Sequence, residues 1–267
     1  MAETDFYIPP QDESKLEFAI HNLWIPEWHL AKINIYIYHL EHFDIFSKDI
    51  LKLELSNEVD KDSMKDFLIV EVILSTMFLI ESFAAVAQAC STSPKNIQKY
   101  LKEFDATGFY SKISSKDNVY YAQILSVPQI DFISGEKEIL FEGIKDFKGF
   151  LNEVKEYYFS NLDLFNSYKH SFRLFPFSTI GKNEEPVSAI MYFSQRHKQD
   201  EVVITTLDKN PQKHEKLARD LIYFIRVILN NPKNKLKNPE NWEATIPMRN
   251  KGDLETKTAP SHENSPH

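Results

Sequence analysis

Six glycines and a single cysteine are all that 267 residues contain, and each scarcity removes a class of protein. With twelve tyrosines and twenty phenylalanines against six glycines, the chain has few of the tight turns that an all-β sandwich or barrel needs. One cysteine, Cys90, cannot close an intrachain disulfide. It ends an apolar run, where a lone thiol acts as a small buried hydrophobe, and this fits a reducing cytoplasm. Basic excess is also missing, since the formal net charge is −8. The overall field therefore repels polyanions, and nucleic-acid contact would need a local basic patch. Residues 1–13 have neither the basic start nor the apolar stretch of a signal peptide, so export is not expected. There is no Gly-rich phosphate loop, nucleophile elbow or Cys-x-x-Cys.

What is present is apolar periodicity. Hydrophobic residues make up 42% of the chain, enough for a sizeable core. After an extended segment 1–25, a helix is expected over about 26–56. Pro26 suits its first turn, and Leu30, Ile33, Ile37, Leu40 and Ile45 recur at helical spacing. His39 and His42 lie one turn apart in it. With Glu41 and Asp44 nearby they could face a metal, but no third ligand is identifiable and a packed pair is the better account, so no metal or cofactor is assigned.

The run Phe67 to Cys90 has the length of a membrane span, roughly 20 apolar residues. Glu71 and Glu81 inside it, and the lack of a flanking basic cluster, favour a soluble core helix with no membrane partner. At about 100° per residue, Glu71, Ser75, Ser82, Ala85 and Ala89 share one stripe, along which another helix can approach closely. Carboxylates there need partners, so Glu71 and Glu81 are assigned structural pairing.

A short helix over 94–105, a hairpin or irregular loop at 110–125, and a helix over 136–159 opened by Ser134 follow. A break near Ser160-Asn161 should separate a shorter helix, Asp163 to Phe172. Pro186 to Ser194 and Glu201 to Leu207, rich in Val, Ile, Thr and aromatics and joined by a polar turn, are expected to pair as a β-hairpin, and a last helix, 211–230, should stop at Pro232. The expected fold is mainly α: one helical domain over 26–231, a small hairpin at 186–207, and a flexible, disordered tail over 232–267.

One segment combines groups suited to chemistry. Asn166, Lys169, His170 and Arg173 sit at i, i+3, i+4 and i+7, and on a helix all four project from one face. Histidine can exchange a proton near neutrality, Lys and Arg can hold phosphate oxygens, and Asn can orient either. These four are the candidate catalytic residues, with RNA or a nucleotide as ligand. The plainer alternative is that Lys169 or Arg173 neutralises Glu71 or Glu81.

The apolar helix ending in Glu-Ser-Phe-Ala-Ala, followed by Asn-x-x-Lys-His-x-x-Arg and a hairpin, resembles uncharacterised bacterial proteins related to the HEPN superfamily, over roughly residues 30–207. The resemblance implies a helical bundle, often dimeric, and in many members a metal-independent ribonuclease of toxin–antitoxin, abortive-infection or CRISPR systems. His170 matches the histidine of the family's motif. The arginine that should precede it does not, since the corresponding positions hold Asp163, Leu164 and Phe165. The resemblance therefore implies a nucleotide-, RNA- or protein-interaction module, including a homodimer, with a ribonuclease as the alternative. A further alternative is a DNA-binding winged helix over 84–124, with Lys95, Asn96, Gln98, Lys99 and Lys102 on the recognition helix and a wing at 110–124.

Overall fold

The computed structural model describes residues 26–50, 52, 58–92, 104–125, 136–171, 174–180, 186–194, 201–237, 243–250 and 253–260. They form helices α1 (Glu27–Glu41), α2 (Phe43–Ile45), α3 (Glu58–Thr92), α4 (Ala106–Ile113), α5 (Asn118–Leu125), α6 (Glu136–Ser171) and α7 (Pro211–Lys237), with a π-helical turn at Phe46–Ile50. Strands β1 (Leu174–Ile180), β2 (Pro186–Ser194) and β3 (Glu201–Thr206) form an antiparallel meander in the order β1-β2-β3. The mainly α fold with a small hairpin before the last long helix is therefore present. The expected hairpin is β2–β3, with Ala189 opposite Thr206 and Ser194 opposite Glu201. Strand β1 extends it, and Pro176 is tolerated there because β1 lies at the sheet edge. Within 232–267, read from sequence as a flexible tail, the described backbone pairs β4 (Glu243–Asn250) with β5 (Asp253–Pro260).

The chain divides into two compact units, each assembled from separated segments. One comprises 1–26, 81–155 and 220–267; the other comprises 27–80 and 156–219. The first has an aromatic core. Phe150 stacks on Phe224 at 4.3 Å and meets Phe83 edge-on, while Phe147 meets Tyr121 edge-on. Asn231, fully buried, donates from Nδ2 to the Leu125 carbonyl at 2.7 Å. In the second unit Ile33 and Ile37 of α1, Leu68 to Ile80 of α3, and Leu164 and Phe165 of α6 are buried, apart from half-buried Glu71 and exposed Phe78.

Four sequence expectations are corrected. Residues 110–125 are two helices joined by a turn at 114–117: Asp105 caps α4 by accepting from the Gly108 N–H at 2.8 Å, and Asp117 accepts from the Tyr120 N–H at 2.9 Å in the first turn of α5. Alternating aromatics there suggest strands, but Tyr110, Ile113, Tyr121, Ile124 and Leu125 are buried from helices. The expected wing is thus absent, and residues 67–90 form part of one unbroken helix with no helix-turn-helix turn. The proposed recognition residues 95–102 lie outside the described residues, as does most of the expected 94–105 helix.

The break at Ser160-Asn161 does not occur. Ser160 Oγ donates to the Glu156 carbonyl at 2.8 Å and Asn161 Nδ2 to that of Tyr157 at 2.9 Å. Their polar groups bond back along the helix instead of pulling the chain out of it. Nor does α7 stop at Pro232: the helix runs on to Lys237, although a proline inside a helix gives up its own N–H and crowds the carbonyl four residues before it. The neighbouring Asn231 anchors the chain. Finally, the first helix ends at Glu41, where His42 leaves helical geometry at φ −115 and ψ 41. Ile45 is consequently exposed instead of core-facing.

Candidate functional site

Helix α3 carries the candidate carboxylates. The stretch Lys61–Ser91 is long and apolar enough to cross a membrane by length and composition, and 72% of its most apolar window is buried inside the protein. Ser75, Ala85 and Ala89 of the small-residue stripe are buried, whereas Glu71, Glu81 and Ser82 are half-buried.

Glu71 lies in a defined polar cluster. The Tyr168 hydroxyl on α6 donates to Glu71 Oε1 at 3.4 Å, Tyr36 on α1 hydrogen-bonds the same carboxyl, and Lys32 lies close enough to favour its charge. Burial outweighs all three and raises the Glu71 carboxyl above the usual glutamate range. Burial likewise raises the Tyr36 and Tyr168 phenols, and the neighbouring carboxylate adds to it. Both therefore stay protonated as donors. With two phenols against it and an ammonium charge nearby, this carboxylate can exchange a proton closer to neutrality than an ordinary glutamate.

The candidate catalytic residues follow on α6. Asn166 and Lys169 are exposed, one turn apart as their spacing predicts. The Lys169 ammonium sits 4.0 Å from the Phe165 ring centroid and 5.7 Å from that of Phe78. Phe78 and Phe165 meet edge-on at 4.9 Å, and His29 stacks over Phe78. The His170 side chain and Arg173 lie outside the described residues. Tyr36 and Tyr168 escaped sequence reasoning; the available signal was their position, Tyr168 one residue from Lys169 and Tyr36 on the inward side of α1 beside Ile37.

His39 and His42 both pack on aromatic rings and share Tyr38, which His39 meets edge-on at 5.9 Å. His39 packs on Phe46 at 4.4 Å; His42 stacks on Tyr38 at 4.2 Å, its Nδ1 3.0 Å from the Tyr38 carbonyl. No three His, Cys, Asp or Glu side chains come together as a metal site among the described residues.

A second polar chain is buried. His214 Nε2 faces the Asp208 carbonyl at 3.1 Å and Nδ1 faces the Tyr157 hydroxyl at 2.9 Å. A carbonyl only accepts, so Nε2 carries the proton, and in the neutral ring Nδ1 accepts from Tyr157. Burial lowers the His214 pKa and raises that of Tyr157. The pair secures the turn into α7, where Asn210 Oδ1 accepts from the Lys213 N–H just ahead of Pro211. Nearby, Lys209 reaches the buried Asp66 at 3.6 Å.

The outer side of α1 is different in kind. Trp28, Ile35 and Tyr38 are 59%, 50% and 54% exposed, and Ala31 between them is exposed as well. The spacing 28, 31, 35, 38 places all four within one narrow arc, opposite buried Ile33 and Ile37. The helix is thus apolar on both faces, and only one faces its own core.

No family model matches the chain, and no curated protein or solved structure matches it either.

Proposed function

We propose that this chain is a protein-interaction module that engages an amphipathic helix through the outer face of α1. The observation that carries this reading is the exposed stripe Trp28, Ala31, Ile35 and Tyr38. Single exposed apolar residues are ordinary, but a contiguous row containing Trp and Tyr has the composition of a binding hot spot. Stripes at three- and four-residue spacing are how helices are read by other helices. The resemblance to HEPN proteins belongs to this proposal as the architecture on which the surface is carried.

The test is a photo-cross-linking amino acid at position 35, with exposed Gln123 on α5 as the control position, in the cells that make the protein. Cross-linking to protein at 35 well above the level at 123 is expected. Equal, background cross-linking at both positions overturns the reading. The ribonuclease alternative rests on Asn166, Lys169, His170 and Arg173. It requires RNA cleavage in EDTA that is lost in His170→Ala.

A further inference from the structure

We infer that Glu71, with Tyr36, Tyr168 and Phe67 around it, is a binding site for a small organic ammonium ion carrying a short aromatic or apolar body. The site is separate from the outer face of α1 and does not depend on what that face engages.

It follows from how three helices of one unit meet. His29 and Tyr36 of α1 lie against Phe78 and Glu71 of α3, and Phe165 and Tyr168 of α6 lie against the same two positions. Both neighbours therefore run antiparallel to α3, and a phenol from each converges on one carboxylate. At about 100° per residue, Phe67, Glu71 and Phe78 fall within about 40° of one another around α3. The two phenylalanines are 37% and 36% exposed, whereas Leu68 to Ile80 are otherwise buried apart from Glu71 itself. This face of α3 thus meets solvent, with the carboxylate between two aromatic ends.

The charge on that face lacks a direct partner. Glu71 is half-buried and hydrogen-bonded by two phenols, but no basic side chain forms an ion pair with it among the described residues, and Lys32 acts on it only from further away. A carboxylate partly withdrawn from water gains most from a cation that touches it. An ammonium group supplies the matching donors. One N–H reaches the carboxylate, and others reach the phenol oxygens, which still accept while their O–H groups donate to Glu71. A metal ion fits less well, since no three His, Cys, Asp or Glu side chains come together among the described residues.

The aromatic ends decide where the body of the ligand lies. The Phe78 end already holds an ammonium, that of Lys169, 4.0 Å from the Phe165 centroid and 5.7 Å from that of Phe78, with His29 stacked beside it. The rings of this face therefore take a cation within the chain itself. Phe67 stands one turn before Glu71, about 6 Å away along the axis, and makes no ring or cation contact among the described residues. A ligand whose ring is two carbons from its ammonium spans that distance and covers Phe67.

The experiment titrates the full chain, by ligand-observed NMR, with three probes of one shape: 2-phenylethylammonium, 2-phenylethanol and 3-phenylpropanoate. The ammonium should bind with a Kd of about 1 mM, and the alcohol and the anion at least about tenfold more weakly. Glu71→Gln should weaken ammonium binding about tenfold or more, and Tyr168→Phe and Phe67→Ala each by about threefold to tenfold. Glu81→Gln, at another half-buried carboxylate of α3, should leave it unchanged. Circular dichroism confirms that each variant is folded; Phe67 is exposed and the other changes keep side-chain shape.

Propanoate binding as tightly as the ammonium overturns the inference, because Lys32 and Lys169 would then govern the site. So does undiminished binding in Glu71→Gln or Phe67→Ala, an equal loss in Glu81→Gln, or no ammonium binding to the folded wild type at about 10 mM. None of these outcomes bears on cross-linking at position 35, so the interaction module stands or falls separately.

Discussion

Tyr157→Phe removes one oxygen from the second unit and should cost far more than a surface change. Its hydroxyl is the donor to Nδ1 of His214, whose Nε2–H is already committed to the Asp208 carbonyl. A hydrogen bond of this sort contributes about 0.5–1.5 kcal/mol net, and a buried acceptor left without a donor costs about 1–3 kcal/mol. His214 is only 1% exposed, so water cannot readily replace the phenol, and a loss of about 2–3 kcal/mol is expected. Urea denaturation followed by circular dichroism measures the size. Hydrogen exchange should place the loss around residues 156–171 and 208–219.

The same histidine has a pH signature. The folded His214 pKa lies below its ordinary 6.5, chiefly through burial. Below pH 6.5 the unfolded chain takes up a proton that the folded ring resists, so stability is full above 6.5 and falls as the pH drops through the folded value. Burial sets this shift, so the acid loss should persist in Tyr157→Phe, on top of the cost at pH 7. A change under about 0.5 kcal/mol at pH 7, or the same cost in a His214→Ala background, would refute the assignment of a buried donor–acceptor pair.

Glu71→Gln should stabilise the protein at pH 7. The folded Glu71 pKa is raised by burial, so its protonated form contributes stability below about 4.5 that is lost as pH rises through the folded value; melting curves of variant and wild type should converge near pH 4. Asn231→Ala strands the Leu125 carbonyl and should cost about 1–3 kcal/mol, read as faster hydrogen exchange in α5 and α7. Asp105→Ala removes the α4 cap and should cost about 1 kcal/mol by urea titration. Gly108→Ala should also lose that cap, since a Cβ there collides with the Asp105 carboxylate, so the double variant should be little worse than either single one.

Long elements with strong signals were legible: α1 from Ile33 and Ile37, α3 from its apolar run, α7 from its repeated Leu and Ile, and β2–β3 from their Val, Ile, Thr and aromatic content. Local signals misled where a side chain's partner lay outside the local pattern. Ser160 and Asn161 look like a break until their bonds to the Glu156 and Tyr157 carbonyls are seen. The aromatics of 110–125 look like strands until Asp105 and Asp117 are found capping helices. Of the candidate site, the spacing of Asn166 and Lys169 was readable, but the sequence offered Lys169 or Arg173 as partner for Glu71 or Glu81, and the Tyr168 hydroxyl, not read from sequence, donates to Glu71.

The outer stripe of α1 was equally present in the sequence. Trp28, Ala31, Ile35 and Tyr38 repeat as regularly as Ile33 and Ile37, and periodicity alone marks both faces as apolar. The sequence by itself determined that α1 is a helix with hydrophobic residues around much of its circumference, because spacing fixes which residues share a face. Only the tertiary structure decided which face is buried, because that depends on where α3 and α6 of the same unit supply apolar surface. It left the other exposed, and that exposed face carries the proposed function.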